Sequence, residues 1–381
     1  MGIKRAELKG GQRMRAYVFP GQGAQVVGMG KELFQKYPHY VRVADEVLGY
    51  SIEELCLEDK ESKLNLTQYT QPALFVVSAL SYLDAIEKEG RKPEVVAGHS
   101  LGEYNALFAA GAFSFETGVR LVKKRGELMG NANGGAMAAI VGLTELKVRE
   151  VIKTYHLNQV DISNLNTPKQ TVIASTKDGI ECAKAAFEQE QARVIPLKVS
   201  AAFHSRYMKE AQEKFDEYLE QFKFSKLQIP VISNYTASTY QEGEVKRNLI
   251  QQLGSTVRWV ESVKRMEELG CTEIVEVGPG HVLTNMIKKI RLEEKALRDE
   301  QGSTSETGGT NKTGTTEAAS PFEIVDAWNK KFPVGTMVTC KGYPKPLQTR
   351  TQAVVLFHHR PAIYMEGYKG YFDLTEITPV N

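Results

Sequence analysis

One stretch of this chain restricts its possible folds more than any other: VVAGHSLGEYNALFAAGAF, residues 95–113. A short apolar run typical of a strand ends at Gly98, and an Ala-rich segment with helical spacing begins near Gly102. The two glycines remove side chains that would collide in a tight turn, so this G-x-S-x-G sequence predicts a strand, a sharp turn and a helix. Ser100 would then be exposed as a nucleophile at the helix N-terminus. The five residues alone also fit an ordinary strand–helix turn.

A nucleophilic serine needs a general base, and two of the seven histidines are candidates. His204 follows a strand-like run and precedes a helix, so we expect it at a strand end on the same edge of the sheet as Ser100. His281 also follows a strand, but it opens a helix after a Pro-Gly turn, where a residue often only helps to close the turn. We therefore expect His204 to be the base, with His281 as the alternative.

The order of strand-like and helical segments predicts an α/β fold. Residues 135–199 break the simple alternation, because their order is β-α-β-β-α-β, the ferredoxin-like arrangement. We expect a hydrolase-like body with a parallel sheet, formed by residues 14–134 and 200–292, with residues 135–199 inserted as a small subdomain. Ser100 and His204 would face each other across the cleft between these parts.

The two ends of the chain differ from its middle in sequence pattern. Residues 1–13 are interpreted as an N-terminal extension, since the first motif follows them. Residues 293–320 are rich in Gly, Ser, Thr and Glu and predict a flexible linker. Residues 321–381 have short runs of Val, Thr, Tyr and Phe between Gly and Pro, which predicts a small all-β module. Its role is open between docking to a carrier or partner enzyme, a stabilising appendage and an autonomous small domain of unrelated use.

Composition excludes several classes of function. The formal net charge of the 381 residues is only +2, which gives no reason to expect a nucleic-acid partner. No apolar run approaches the length of a membrane span, and the first residues lack the apolar core of a signal peptide. The four cysteines have neither C-x-x-C nor metal-ligand spacing. We therefore expect a cytoplasmic protein with free thiols, no metal and no bound cofactor.

Several motifs together resemble one known family. In chain order they are FPGQGAQ at 19–25, TQYTQPAL at 67–74, GHSLGEY at 98–104, KKRGELM at 123–129, AAFHS at 201–205, QQLGSTVRW at 251–259 and EVGPGHVLT at 276–284. The set resembles the malonyl-CoA:acyl carrier protein transacylase family, which includes the acyltransferases of polyketide synthases. Within it, this chain is most similar to a discrete acyltransferase that serves polyketide synthase modules in trans.

The resemblance implies a ping-pong acyl transfer. Ser100, deprotonated by His204, would take a malonyl group from malonyl-CoA and pass it to the phosphopantetheine thiol of an acyl carrier protein. The main-chain amides of Gln22 and Leu101 would hold the oxyanion. By the same resemblance, Gln252 stands where the family orients its histidine, so no Asp is required.

Arg125 would select the acyl group. A guanidinium presents a planar fork that binds a carboxylate through two hydrogen bonds, which suits a malonyl group. Helical spacing alone would equally place Arg125 on an exposed basic face. Phe203 matches the bulky residue of malonyl-specific polyketide acyltransferases and would crowd an α-methyl group. The remaining residues expected in the pocket are Gln71, His99, Asn164 and Asn166.

Two other functions are compatible with the same residues. An acyl hydrolase of this fold would release acyl groups from carriers to water, although it would have no use for a guanidinium such as that of Arg125. A non-catalytic docking scaffold would be expected to have lost Ser100, His204 or the Gly21–Gly23 turn, and all are present. The choice between polyketide and fatty acid synthesis stays open.

Overall fold

The computed structural model describes residues 14–132, 134–303, 321–340, 343, 345–356, 360–368 and 371–380. The chain divides into two compact units, Met1–Glu306 and Thr307–Asn381. The extension expected at residues 1–13 and the part of the expected linker at 304–320 lie outside the described residues.

The first unit contains two four-stranded sheets. Its strands are β1 (Met14–Phe19), β2 (Val95–Gly98), β3 (Gly135–Val141), β4 (Asp161–Thr167), β5 (Gln170–Thr176), β6 (Arg193–Pro196), β7 (Val231–Ile232) and β8 (Cys271–Glu276). One sheet has the order β7-β2-β1-β8 with every neighbouring pair parallel. The other has the order β4-β5-β3-β6 with every neighbouring pair antiparallel.

Besides a one-turn 3-10 helix at Arg206–Met208, twelve α-helices are described in this unit. They are α1 (Lys31–Lys36), α2 (Pro38–Leu48), α3 (Ile52–Leu57), α4 (Thr67–Glu89), α5 (Gly102–Ala109), α6 (Phe115–Gly130), α7 (Glu145–Thr154), α8 (Lys177–Gln189), α9 (Lys209–Leu219), α10 (Val245–Gly254), α11 (Trp259–Glu268) and α12 (Val282–Ser303). The local sequence explains where several of these helices begin. The side chains of Ser114, Thr144 and Thr176 accept hydrogen bonds from main-chain amides in the first turns of α6, α7 and α8.

The parallel sheet is covered on both faces. Along β1, Tyr17 and Phe19 belong to one apolar core and Ala16 and Val18 to a second core on the opposite face. The second core includes Trp259 and other residues of α11 and α12. Successive strand residues point to opposite faces, so a strand segment covered on both sides is apolar throughout. This explains the continuous apolar runs AYVF, the buried part of β1, and VVAG, which is β2.

The antiparallel sheet has its own core and is joined to the parallel-sheet region. Its chain order is β3-α7-β4-β5-α8-β6, and a separate apolar core lies beneath α7 and α8. Asn164 of β4 forms a parallel bridge with Val257, and the Leu165 and Val257 amides donate to Val257 and Ser163 carbonyls. This bridge joins the middle of β4 to Val257, which belongs to the second core, on one face of the parallel sheet.

The linker prediction was wrong for residues 293–303, which belong to helix α12. The segment contains Glu, Lys, Ala, Leu and Arg, all strong helix formers, and it is also anchored by contacts that the sequence does not reveal. Glu293 accepts hydrogen bonds from the Thr167 hydroxyl and the Lys169 amide, and Glu294 pairs with Lys264. A polar composition alone therefore did not distinguish a docked helix from a linker.

The second unit is not all-β, because its described part includes a helix at Pro321–Lys331. It contains α13 (Pro321–Lys331), β9 (Met337–Cys340), β10 (Leu347–Gln348), β11 (Val354–Leu356), β12 (Arg360–Tyr364), β13 (Tyr371–Asp373) and β14 (Ile377–Pro379). The strands form two antiparallel sheets, β10-β9-β14 and β11-β12-β13. Ile324, Val325 and Trp328 of α13 pack on their core at helical spacing, a pattern that the β-rich composition obscured.

Across the described residues, no helix combines the length and apolar character needed to cross a bilayer.

The contact between α4 and α6 generates a stability prediction. A Cβ atom at Gly118 would overlap the ring of Phe75, so Gly118→Ala should destabilise the protein by about 1–2 kcal/mol although alanine favours helices. Arg120→Ala, on the exposed side of the same helix, removes only an exposed ion pair and should change the free energy of unfolding by less than about 1 kcal/mol. Chemical denaturation of the full chain measures both. Equal effects of the two substitutions would contradict this packing.

Candidate active site

The turn at Ser100 is built by close approach of main-chain segments. Strand β2 ends at Gly98, helix α5 begins at Gly102, and Ser100 has a left-handed φ of 52°. A Cβ at Gly98 would overlap the main chain of Gly102, and one at Gly102 would overlap the carbonyl of Phe19. A non-glycine residue with positive φ is strained, and such strain is concentrated at functional sites. The predicted strand, sharp turn and helix are therefore present.

Asn234 holds this turn in place. Its side-chain oxygen accepts a hydrogen bond from the Ser100 amide at 2.7 Å, and its side-chain nitrogen donates to the Gly98 carbonyl at 2.6 Å. Asn234 is completely buried and follows β7, the neighbour of β2 in the parallel sheet. The sequence analysis missed it; its only sequence signal is a polar residue directly after a short apolar strand.

His204 lies against Ser100. Its Nε2 is 2.7 Å from the Ser100 hydroxyl oxygen, and its Nδ1 is 2.8 Å from the main-chain oxygen of Gln252. A carbonyl can only accept, so Nδ1 carries the proton and Nε2 is free to accept from the serine. Burial, together with the charge of Arg125, lowers the pKa of His204 to about 3. A neutral imidazole is therefore positioned to take the serine proton.

The position expected for His204 was wrong in one respect. Strand β6 ends at Pro196 and belongs to the antiparallel sheet, so His204 is not at the end of a parallel strand. An irregular segment carries it back to the turn, and His204 itself has a left-handed φ of 56°. His281, the alternative base, is exposed immediately before α12 and is not among the residues that line the cavity around Ser100.

Gln252 contacts His204 through its main chain, not its side chain. Its carbonyl lies in the last turn of α10, where helix carbonyls have no partner within the helix, and it accepts from the histidine. The side-chain oxygen accepts from Arg125 Nη2 at 2.9 Å, and the side-chain nitrogen donates to the Ser100 carbonyl at 2.9 Å and to Glu103 at 2.6 Å. One residue thus connects the serine, the histidine and the arginine.

Arg125 is a buried residue, so the exposed basic face that helical spacing allowed is ruled out. Its side chain is on α6 and the residue is 1% exposed. Nη1 donates to the Gln71 side-chain oxygen at 2.8 Å, and Nη2 donates to the Ser100 hydroxyl at 3.2 Å. The guanidinium carbon is 5.4 Å from the centre of the Tyr104 ring, a cation–π contact. Burial lowers the pKa of Arg125, but a guanidinium remains charged in proteins.

A cavity of about 160 Å³ opens beside Ser100, and its walls include strands of the antiparallel sheet and the turns that follow β1 and β2 of the parallel sheet. We call it the Ser100 cavity. Its polar lining residues are Gln22, Gln71, His99, Ser100, Arg125, Asn164, Asn166 and His204, and its apolar ones include Leu101, Met129, Met137, Val172, Leu197, Val199, Phe203, Val282, Leu283 and Met286. Three surface depressions of about 450, 490 and 500 Å³ are larger but contain no hydroxyl–histidine pair. Size alone would therefore select the wrong site.

The two expected oxyanion donors both border the Ser100 cavity. Leu101 precedes α5, and Gln22 lies in the turn after β1. A Cβ at Gly21 would overlap the His99 carbonyl, so the two turns touch through their main chains. Neither the Gln22 nor the Leu101 amide has a main-chain partner among the described residues, which leaves both N–H groups free to donate.

The other expected residues form the wall of the cavity. His99 Nε2 is 2.9 Å from the Asn166 side-chain oxygen, and the His99 ring lies edge-on to Trp259. Burial lowers the pKa of His99, which favours its neutral form. Asn164 accepts from the Ser163 hydroxyl at 2.7 Å, and that hydroxyl also lies 3.0 Å from the Phe203 carbonyl.

Sequence reasoning also missed Glu103, which lies within GHSLGEY and is completely buried behind Ser100. Its signal was an acidic residue in the first turn of a helix that is otherwise buried. Within the described residues, no group of three or more His, Cys, Asp or Glu side chains is arranged to hold a metal ion.

The hydrogen bonds of His204 predict its protonation state. At pH 6, the ring should be neutral with the proton on Nδ1, because its pKa lies well below the ordinary value of about 6.5 and protonation begins only at more acidic pH. Nitrogen-15 NMR of histidine-labelled protein, with His204→Asn to assign the signal, measures this directly. A His204 ring that is half protonated near pH 6.5 would contradict the geometry.

Comparisons with known proteins place this arrangement in a family. The family described as Acyl transferase domain matches residues 16–326. The polyketide biosynthesis malonyl CoA-acyl carrier protein transacylase PksC of Bacillus subtilis is 53% identical over 286 residues, which cover 74% of this chain and 99% of that protein. The polyketide biosynthesis protein PksE of the same organism is 52% identical over 286 residues, but this chain spans only 37% of its length.

Solved structures agree with the sequence relatives. The crystal structure of malonyl CoA-acyl carrier protein transacylase from Burkholderia pseudomallei is similar with a TM-score of 0.71 and 44% identity, covering 74% of this chain and 98% of that one. The resemblance drawn from the sequence motifs is therefore confirmed. A family match over most of the chain, with a relative aligned almost from end to end, shows that this chain belongs to the acyl transferase domain family.

Proposed function

We propose that this chain transfers a malonyl group from malonyl-CoA, through an ester on Ser100, to the phosphopantetheine thiol of an acyl carrier protein. The observation that carries the proposal is the contact of Arg125 Nη2 with the Ser100 hydroxyl at 3.2 Å. A cation beside the nucleophile suits an acyl group whose carboxylate is only one carbon away from the reacting carbonyl, which is the structure of malonyl. The names of the relatives indicate polyketide or fatty acid synthesis.

In the first half-reaction, the Ser100 hydroxyl gives its proton to His204 Nε2 while its oxygen attacks the thioester carbonyl. The negative charge that forms on the carbonyl oxygen is held by the amides of Gln22 and Leu101. When the carbon–sulfur bond breaks, the histidine returns the proton to the departing CoA thiolate. Malonyl-Ser100 and free CoA result.

In the second half-reaction, His204 takes the proton of the phosphopantetheine thiol, and the sulfur attacks the ester carbonyl. The same two amides hold the second oxyanion, and the proton returns to the Ser100 oxygen as the ester breaks. The steps balance without any further cofactor. Throughout, the Arg125 fork binds the malonyl carboxylate and Gln71 holds the guanidinium from behind.

The finer assignments belong to the same proposal. Phe203 borders the Ser100 cavity and would oppose an α-methyl group, a preference of about 1–3 kcal/mol for one added carbon. We assign the first unit to a hydrolase-like body with a ferredoxin-like subdomain, because the antiparallel sheet has the βαββαβ chain order. Phe203 and the second unit favour a discrete acyltransferase that serves polyketide synthase modules.

The identity of the nucleophile is tested by intact-mass measurement after brief exposure to malonyl-CoA. The unaltered protein should gain one malonyl group, and Ser100→Ala should gain none. His204→Ala should acylate about 10²- to 10⁴-fold more slowly, whereas His281→Ala should react at nearly the normal rate. Addition of a phosphopantetheinylated carrier protein should then move the malonyl mass to the carrier. A malonyl adduct on Ser100→Ala, or loss of the group to water alone, would refute the transfer mechanism.

The role of Arg125 is tested by comparing acyl groups with and without a carboxylate. Arg125→Ala removes a charge-assisted hydrogen bond of about 1.5–3 kcal/mol, so kcat/KM for malonyl-CoA should fall about 10- to 150-fold while that for acetyl-CoA stays the same or rises. Arg125→Lys should restore only part of the loss, because an ammonium lacks the planar fork. Arg120→Ala, on the exposed side of α6, is the matched control. Equal losses for both substrates would show that Arg125 only supports the fold.

A further inference from the structure

We propose that Glu103 is a positioning residue, whose buried carboxylate fixes the side chain of Gln252 and balances the charge of Arg125 without occupying the guanidinium fork. The inference rests on the proposed function, since it concerns how that fork is kept available for an acyl carboxylate. Glu103 has no direct contact with the reacting atoms in this account and acts through Gln252.

Three donors converge on Glu103. Its carboxylate accepts hydrogen bonds from the Gln252 side chain at 2.6 Å, from the Asn234 amide at 3.1 Å, and from the Tyr240 hydroxyl. The residue is 0% exposed and is three positions after Ser100. An ionised carboxylate only accepts hydrogen bonds, so three converging donors suit the charged form. Burial raises the pKa of Glu103 to about 7, whereas these donors and the charge of Arg125 act in the opposite direction.

Gln252 transmits the effect of Glu103 to two parts of the site. Its amide nitrogen points to Glu103 and its amide oxygen to Arg125 Nη2, so a single neutral group separates the two buried charges. The main-chain oxygen of the same residue holds the proton-bearing nitrogen of His204. A displacement of the Gln252 side chain would therefore reach Arg125 and the Ser100 carbonyl directly, and a shift of its main chain would reach the histidine.

The buried charges explain why the neutral side-chain amide of Gln252 separates Glu103 from Arg125. Arg125 is buried, and its hydrogen-bond acceptors in the described part of the chain are the neutral groups of Gln71, Gln252 and Ser100. A buried charge without compensation is strongly unfavourable. A direct ion pair with Glu103 would provide the compensation but would use the donors that a substrate carboxylate needs. An acid placed one amide away balances the charge, and the guanidinium donors bond only to these neutral groups, not to another carboxylate.

The test is Glu103→Gln, which keeps the shape of the side chain and removes its charge. The amide oxygen can still accept from Gln252 and Asn234, and the amide nitrogen can donate to the Tyr240 oxygen. At pH 8, the ratio of kcat/KM for malonyl-CoA to that for acetyl-CoA should rise about five- to tenfold, because repulsion between Glu103 and the substrate carboxylate is gone. A merely structural role would lower both values by the same factor.

A binding measurement separates the effect of Glu103 on substrate affinity from any effect on the rate of acyl transfer. In the Ser100→Ala background, Glu103→Gln should lower the Kd of malonyl-CoA relative to that of acetyl-CoA by a similar factor. Asp45→Asn is the matched control, because Asp45 is a partly buried acid bonded to the Ile52 amide between α2 and α3, away from the Ser100 cavity. It should leave the ratio unchanged.

Should Glu103→Gln fail to fold, Tyr240→Phe at pH 7 removes one donor that favours the ionised carboxylate and should shift the ratio in the same direction. A ratio equal to or below that of the unaltered protein in the folded variants overturns the role of Glu103. If the unaltered protein forms no malonyl ester on Ser100, the proposed function fails instead, and the two failures are distinguishable.

Discussion

The site depends on contacts between main chains that leave no room for a side chain. Gly98 lies against Gly102, Gly102 against the end of β1, and Gly21 against the carbonyl of His99. These contacts fix the turn that carries Ser100 relative to the turn that carries Gln22. The proposed nucleophile, Ser100, and the proposed oxyanion donors, the Gln22 and Leu101 amides, are thus positioned by packed backbone. An alanine at Gly98 or Gly102 would require the strand or the helix to move.

The partner of His204 suits the chemistry of a thioester. A main-chain carbonyl fixes the histidine tautomer, as a carboxylate does, but it carries no net charge to stabilise an imidazolium. In the proposed mechanism, the protonated ring is therefore a short-lived species that readily returns its proton. A thiolate, whose conjugate acid has a pKa of about 8.5, leaves more easily than an amide nitrogen and needs less help from an acid. The arrangement around His204 can thus be less charged than a Ser-His-Asp triad.

The main elements of the site could be predicted from the sequence where neighbouring residues in the chain determine the structure. The turn at Ser100 follows from two glycines between an apolar run and a helical pattern, and an α/β fold with a parallel sheet is consistent with the similar solved structures. The burial of Arg125 did not follow, because its helix has charged residues on both sides of it in sequence. The family resemblance placed Arg125 in the acyl pocket, and the structure shows that the residue is buried.

The features that were missed depend on contacts between distant segments. Asn234 and Glu103 meet only after β7 pairs with β2, and no local pattern reports that pairing. The role of Gln252 was attributed to the residue as a whole, whereas its main chain meets the histidine. The helical part of the expected linker was missed for the same reason, since Glu293 finds its partners on β4 and the turn after it.

Helix α12 has a consequence for how substrate preference can change. Leu283 and Met286 border the Ser100 cavity, Ile287 and Ile290 are anchored under the parallel sheet, and Glu293 bonds to the end of the antiparallel sheet. The helix therefore acts as a brace between the two sheets. A hinge motion that widened the cleft would break contacts along its length. In a braced cleft, a larger or smaller acyl group is accommodated by exchanging single side chains in the wall, so specificity can change by point substitution while the catalytic geometry is kept.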